Sequence, residues 1–251
     1  MTGTTRSLSF GQLADEYDRW RPGYCDAAVD WLAPVAPARV ADVGAGTGKL
    51  TSSLLARGLA VEAVEPDPRM LAVLARNNPA ARCYESDSTA IPVEDRSLDA
   101  VLVADAWHWF DAEATVTEVR RVLKPGGWLG LVWNVLADPV EPWEFELASE
   151  AEMFDRETKR DADGVAKRLS CFSEDELERH QFAWKWVLTP ENRAASLATT
   201  SMLIAMDPEQ RAERLQAARS ELQRICDAAG TTSLPIRREA SCVRWTPRPP
   251  A

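Results

Sequence analysis

Arg39–Val40–Ala41–Asp42–Val43–Gly44–Ala45–Gly46–Thr47–Gly48–Lys49–Leu50 reads as a buried strand, a glycine-rich turn and the start of a helix. Arg39 to Val43 carry the β-branched apolar run of a strand covered on both faces. Glycines at 44, 46 and 48 allow a sharp turn and let the backbone come close to a ligand, because no Cβ stands in the way. Thr47 to Arg57 place apolar residues at 50, 54 and 55, the spacing of a helix packed back on a sheet. Two other glycine loops do not fit. A dinucleotide fingerprint, G-x-G-x-x-G, needs glycine where Lys49 stands. A P-loop, G-x-x-x-x-G-K-[ST], needs glycine at Val43 and a hydroxyl at Leu50. What remains is D-x-G-x-G-x-G, starting at Asp42.

About twenty residues on, Val61 to Glu65 reads as the next strand, with Glu65 at its carboxyl end. A carboxylate there can accept both hydroxyls of a ribose. Pro66 and Pro68 then end the strand and open a helix over Arg69 to Arg76. The plainer reading of Glu65 is an acid at a helix start.

The stretch VADVGAGTGKL resembles motif I of the class I S-adenosylmethionine-dependent methyltransferases throughout. The resemblance implies a Rossmann-like α/β fold: a seven-stranded sheet of order 3-2-1-4-5-7-6 with the last strand antiparallel, an N-terminal helical cap, and a lid inserted between strands five and six. It implies S-adenosylmethionine as cofactor and S-adenosylhomocysteine as product. That ligand has no phosphates, so the loop offers close backbone contact rather than an anion nest. Cofactor contacts carried over on this motif are Asp42, Gly44, Ala45, Gly46, Gly48, Glu65 and Pro66, with Ala104 at the end of strand four.

Three more segments carry the resemblance. Phe10 to Tyr24 matches the family's cap, F-x-x-x-A-x-x-Y-x-x-x-R-P-x-Y-P, with Cys25 where proline is usual. It implies that Tyr17 and Arg21 lie near the methionine carboxylate, a group that suits the planar guanidinium fork. The other reading makes Tyr17 core and pairs Arg21 with Asp18 or Glu16. Glu85 to Pro92 resembles G-D-A-x-x-L-P, which implies Asp87 at the adenine amino group and the Ser88 N–H at a ring nitrogen; a simple Asp- and Ser-rich turn is the alternative. Leu98 to Ala104 is strand four, and it delivers Asp105 to Asp111 to the point where ligands bind in open α/β sheets. The family commonly shows A-Q-A-x-H-W-F-D there. This chain has Asp105 in place of glutamine and Trp107 at the variable position.

Asp105 adds a carboxylate near a cationic sulfonium, and His108 is suited to take a proton near neutral pH. His108 reads equally as a structural histidine among aromatics, since methyl transfer with a neutral thioether leaving group often needs no base. Trp107 and Trp109, with Phe110, form the wall expected for substrate or sulfonium through cation–π contact, or else core beneath a lid.

Bulk properties narrow the partners. The 251 residues, 45% hydrophobic, suit one α/β domain with elaborations. A net charge of −10 argues against a nucleic-acid substrate. Five scattered cysteines without a C-x-x-C pair read as reduced thiols in a cytoplasm, and two histidines, His108 and His180, predict no metal site. The sequence carries no signal-peptide pattern and no apolar run near the ~18 residues of a membrane span.

The domain divides into cap helices over 10–36, a cofactor-binding core over 37–134, a lid over 135–177 and C-terminal strands and helices over 178–251. A second cap helix covers Asp26 to Leu32. A helix covers Ala112 to Leu123, and strand five Trp128 to Trp133. Residues 138 to 157, eight acids and one base with interleaved apolar residues, read as the lid. Ser173 to Glu176 reads as a capping box, Phe182 to Leu188 as strand six, Pro190 to Met206 as mostly helical. The last helix runs from Asp207–Pro208 to Gly230, and the final strand over Arg237 to Thr246. The resulting expectation is a methyltransferase acting on a small molecule. A cyclase or rearrangement enzyme using the same sulfonium, and a non-catalytic binding protein, are the alternatives.

Overall fold

Alternation along the strands builds the core of the computed structural model, which describes residues 14–137 and 169–248. In β1 (Arg39–Val43), Val40 faces one helical layer, and Ala41 and Val43 face the other. β2 (Ala60–Val64) and β4 (Leu98–Ala104) flank β1 in parallel, with Val40 opposite Val61 and Ala100. β3 (Arg82–Tyr84) lies outside β2 and β5 (Leu123–Leu136) outside β4, again in parallel. β7 (Leu234–Trp245) then inserts antiparallel between β5 and β6 (Leu177–Leu188). The order is β3-β2-β1-β4-β5-β7-β6, as expected from the sequence.

Helices cover both faces. α1 (Ala14–Trp20) packs Ala14 and Tyr17 on Met70 and Val73 of α4 (Pro68–Asn77). α2 (Asp26–Leu32) and α3 (Lys49–Leu55) press Val29, Leu32, Leu50 and Leu54 onto Val40, Val61 and Leu102. α5 (Ala112–Val122) places Val116, Val119 and Val122 against Val101, Val103 and Leu129 on the opposite face. Each such side chain, once buried, contributes about 1.5–3 kcal/mol. α6 (Pro190–Leu197), α7 (Ser201–Ile204) and α8 (Pro208–Ala229) share a small cluster of Leu197, Leu203 and Ala218. The ends of α8 fall where the sequence puts them. Asp207 caps it by accepting from the N–H groups of Glu209 and Gln210, and Gly230 closes it in the left-handed region.

Several boundaries differ from expectation. β5 and β6 are longer, 14 and 12 residues: β6 pairs along its whole length with β7, whereas β5 pairs with β7 only from Leu129 and is lengthened at its start by Leu123 opposite Leu98 of β4. The Ser173 hydroxyl makes no cap bond, so no capping box forms. Instead Glu174 pairs with Arg179 at 2.9 Å, and Glu176 accepts from the Trp245 indole at 2.9 Å. The expected start of the first helix at Phe10 and the acidic lid over 138–157 lie outside the described residues. The described end of that insertion, Leu169 and Phe172, is buried in the core beside Trp107 and Trp245. Among the described residues no helix is long and apolar enough to cross a membrane, and no group of three or more His, Cys, Asp or Glu is placed to hold a metal.

Candidate active site

Beyond Val43 the chain folds back across the strand ends. The N–H groups of Gly44 and Ala45 both donate to the carbonyl of Val64, at 2.8 and 3.1 Å, and tie the loop to the end of β2. The three glycines then serve different neighbours. A Cβ on Gly44 would lie 2.7 Å from Ala106 Cβ and 2.9 Å from Phe110 Cζ. A Cβ on Gly48 would meet Asn78 and Leu74 of α4. At Gly46 a Cβ would meet nothing within 4 Å. Two of the glycines therefore admit parts of this chain, and of the three only Gly46 faces open space among the described residues.

Glu65 follows β2 directly and is 8% exposed. Its Oε2 accepts the Gly46 N–H at 2.8 Å and its Oε1 the Asp67 N–H at 3.0 Å. Burial raises its pKa above the usual carboxylate value, against the lowering effect of those two bonds. Asp67 also caps α4, so the helix start that the sequence suggested for Glu65 is served by its neighbour. Pro66 between them is exposed. Asp42 points from β1 toward α3, where its Oδ2 accepts from the Thr51 hydroxyl at 2.6 Å, while Oδ1 is buried without a partner. Burial pushes its pKa up to about 7; the Thr51 bonds oppose the shift and the Glu65 charge adds to it.

Arg21 does not pair with Asp18 or Glu16. Asp18 binds Lys49 at 3.2 Å and accepts from Asn77 at 2.9 Å. The Arg21 guanidinium lies 5.2 Å from the centroid of the Tyr17 ring, and Nη2 donates to the carbonyl of Thr199 at 3.0 Å. Its Nε is buried without an acceptor, and among the described residues no carboxylate neutralises it. On the far side of β2, Asp87 is exposed and forms a turn, its Oδ1 accepting both the Thr89 N–H at 2.8 Å and the Thr89 hydroxyl at 2.6 Å. The Ser88 hydroxyl is occupied with that of Thr115 at 2.8 Å, which leaves its backbone for any ligand contact.

β4 ends at Ala104, half-buried, and the loop after it begins with Asp105, whose φ of 50° lies in the left-handed region. Asp105 Oδ2 accepts from the Tyr24 hydroxyl at 3.1 Å, and Oδ1 from the Asn134 N–H at 3.2 Å. Trp107, read from the sequence as substrate wall or as core, is buried, as the second reading has it. It is 2% exposed, with ring centroids of Phe110 and Phe172 at 6.0 and 5.7 Å. An indole facing the strands of an α/β sheet gains more by burial than by exposure at a cleft. His108 and Trp109 are half-buried on the same short 3₁₀ turn, their rings 4.7 Å apart.

Sequence reasoning did not find Thr51 under Asp42, Thr199 at Arg21, or Asn134 at Asp105. Thr199 and Asn134 are brought in by contacts between elements far apart in sequence, whereas Thr51 lies nine residues beyond Asp42 on the helix after the loop; no motif signals any of the three. Phe110 was recognised only as one of several aromatics; its place against Gly44 emerges from the fold.

A methyltransferase domain matches residues 41–131. An uncharacterized methyltransferase of Mycobacterium tuberculosis is 42% identical over 241 residues, covering 96% of both chains. The demethylmenaquinone methyltransferase of Thermus thermophilus is 40% identical over an alignment of 158 residues that covers 55% of this chain and 68% of that one. A solved protein from Anaeromyxobacter dehalogenans, assigned to the type II methyltransferases, is 26% identical with a TM-score of 0.61, covering 89% of this chain and 96% of that one. The glycine loop, the sheet order and these relatives agree: the chain belongs to the class I S-adenosylmethionine-dependent methyltransferases.

Proposed function

We propose that this chain passes the methyl group of S-adenosylmethionine to a small-molecule acceptor by in-line displacement. The observation that carries the reading is Glu65. Its buried carboxylate is fixed by the N–H groups of Gly46 at 2.8 Å and Asp67 at 3.0 Å, beside the loop glycine that faces open space. Each oxygen has a lone pair left over, so the pair of them suits a ribose diol. Arg21, which has no carboxylate partner among the described residues, suits the methionine carboxylate, with Tyr17 beneath it. The Asp87 carboxylate and the Ser88 backbone suit the adenine edge. Gly44, Ala45, Pro66 and Ala104 border the same strand ends, Gly48 shapes the loop from behind, and Asp42 braces it from below.

Bound there, the cofactor supplies an electrophilic methyl on a sulfonium. The residues of the chain supply alignment and exclusion of water, which is most of what such a displacement requires. His108 is our candidate to accept a proton from an O–H or N–H nucleophile, and Trp109 our candidate for the acceptor wall. The net charge of −10 favours a small acceptor over a nucleic acid. A relative that methylates demethylmenaquinone supports the same class. Free thiols at all five cysteines accord with a reducing cytoplasm.

Calorimetric titration with S-adenosylhomocysteine tests the cofactor site. Micromolar binding by the wild type, lost in Glu65→Ala, is expected; a wild type that does not bind would overturn the reading. Product analysis tests the reaction, since methyl transfer yields S-adenosylhomocysteine and cyclisation would yield methylthioadenosine.

A further inference from the structure

The cap and the sheet are joined by a clasp built from residues far apart in sequence. The Tyr24 hydroxyl donates to Asp105 Oδ2 at 3.1 Å. The Asn134 side-chain amide donates to the carbonyl of Gly23 at 3.0 Å. Between them, the Asn134 backbone N–H donates to Asp105 Oδ1 at 3.2 Å. Two adjacent cap residues are thus each held by one of two adjoining groups, at the carboxyl ends of β4 and β5. The Asp105 backbone is committed to this arrangement. It takes a φ of 50°, which aspartate tolerates better than most residues, while its N–H donates to the carbonyl of Val132 at 2.9 Å. Burial, and after it the Asp105 carboxylate, hold the Tyr24 hydroxyl in its protonated, donating form. Upstream on the same segment, Arg21 is fixed from another side by the Thr199 carbonyl and the Tyr17 ring.

We propose that Asp105 is a positioning residue: with Asn134 it clasps residues 23–24, and so holds Arg21 in place for the carboxylate of the cofactor. The proposal rests on the cofactor reading above. Asp105 then acts through Tyr24 and the cap backbone, not as a charge set against the sulfonium. A cap segment fixed in advance need not be ordered when ligand binds, and the affinity gained resides in the part of the ligand that the cap touches.

Two ligands separate this role from general damage. S-adenosylhomocysteine carries the amino-acid tail, and 5′-methylthioadenosine has the same adenosine without it. Both are titrated into the wild type, Tyr24→Phe, Asp105→Ala, Asp105→Asn and the double variant Tyr24→Phe/Asp105→Ala. Tyr24→Phe removes one hydroxyl and keeps the ring, so it serves even if Asp105→Ala fails to fold. We expect Tyr24→Phe and Asp105→Ala each to weaken S-adenosylhomocysteine about tenfold, with the double variant no weaker than Asp105→Ala and methylthioadenosine unaffected. Asp105→Asn, which keeps one acceptor oxygen, falls between. Unchanged binding of S-adenosylhomocysteine by the single variants, equal weakening of both ligands, or additive losses would each overturn the proposal. A wild type that binds neither ligand would overturn the cofactor reading beneath it.

Discussion

Gly48 and Asn78 are packed so closely that a Cβ on the glycine would lie 2.6 Å from the asparagine Nδ2. Asn78 cannot easily give way. It is 4% exposed, accepts from the Ser52 hydroxyl at 2.6 Å, and donates to the Leu74 carbonyl at 3.2 Å. The contact joins α3 to α4 behind the loop, whereas Gly46, two residues earlier, has no such neighbour. Gly48→Ala is expected to lower stability by about 2–4 kcal/mol, from overpacking added to a φ of 89°. Gly46→Ala, at φ 56°, is expected to cost about 1 kcal/mol and to abolish binding of S-adenosylhomocysteine. Urea melts and calorimetry on both variants check this, and similar melts with similar binding would remove the division of labour.

Asp42 makes stability depend on pH. Its pKa is about 7 in the folded chain against 3.8 for an ordinary aspartate, because burial favours the neutral form. A raised folded pKa gives stability that is complete below about pH 4 and is lost as pH rises through 7. Glu65, raised by burial in the same direction, adds to the trend. Asp42→Asn is always neutral and escapes this loss. Its stability relative to wild type is expected to improve between pH 5 and pH 8, by roughly 2–4 kcal/mol at most. Melting both proteins across that range tests the sign, and a constant difference would show that Asp42 is ionised throughout.

Arg21 has a carbonyl and an aromatic ring for company, and no carboxylate among the described residues. Removing it therefore breaks no ion pair among the described residues. Arg21→Ala is expected to melt within about 1 kcal/mol of wild type, yet to bind S-adenosylhomocysteine ten to a hundred times more weakly, the range for a charge-assisted hydrogen bond of about 1.5–3 kcal/mol. A fall in stability without a fall in affinity would make the residue structural.

Trp107 and Trp109 are the two ends of one 3₁₀ turn and sit in opposite circumstances. Trp107→Ala empties a site that is 2% exposed, and about 3–5 kcal/mol of stability should go with it. Trp109→Ala acts on a half-buried ring and should cost less than half of that, with its main effect on turnover of the acceptor. Chemical denaturation of the pair distinguishes them, and equal losses would put both rings in the core.

How much of this is legible in the sequence depends on the range of the contact. The β1 run, the glycine loop, Glu65 twenty residues on and the Asp207 and Gly230 ends of α8 are all local patterns, and the structure repeats them. The glycine spacing does not show that Gly48 answers to Asn78, because α4 is brought there by the fold. Nor does a motif separate Trp107 from Trp109: both are tryptophans in one exposed-looking turn, and only Phe110 and Phe172 reveal which is enclosed. The capping pattern at Ser173 failed for a related reason. Its acids have other partners: Glu174 pairs with Arg179 five residues on, and Glu176 accepts from Trp245, which is adjacent only in space. β6 and the far end of β5 run past their own alternating patterns because β7 pairs with them there.

That same pairing has a consequence for synthesis. Among the described residues β6 has no strand beside it except β7, and the outer edge of β5 is closed by β7 as well. While the chain is being made, both edges stay open until residues 234–245 leave the ribosome, some fifty residues after β6 itself. Throughout that interval a tryptophan-bearing strand has hydrogen-bonding groups and no partner, the condition that invites pairing with other chains. Twelve residues near the far end of the chain thus decide whether a nascent copy becomes an enzyme or an aggregate.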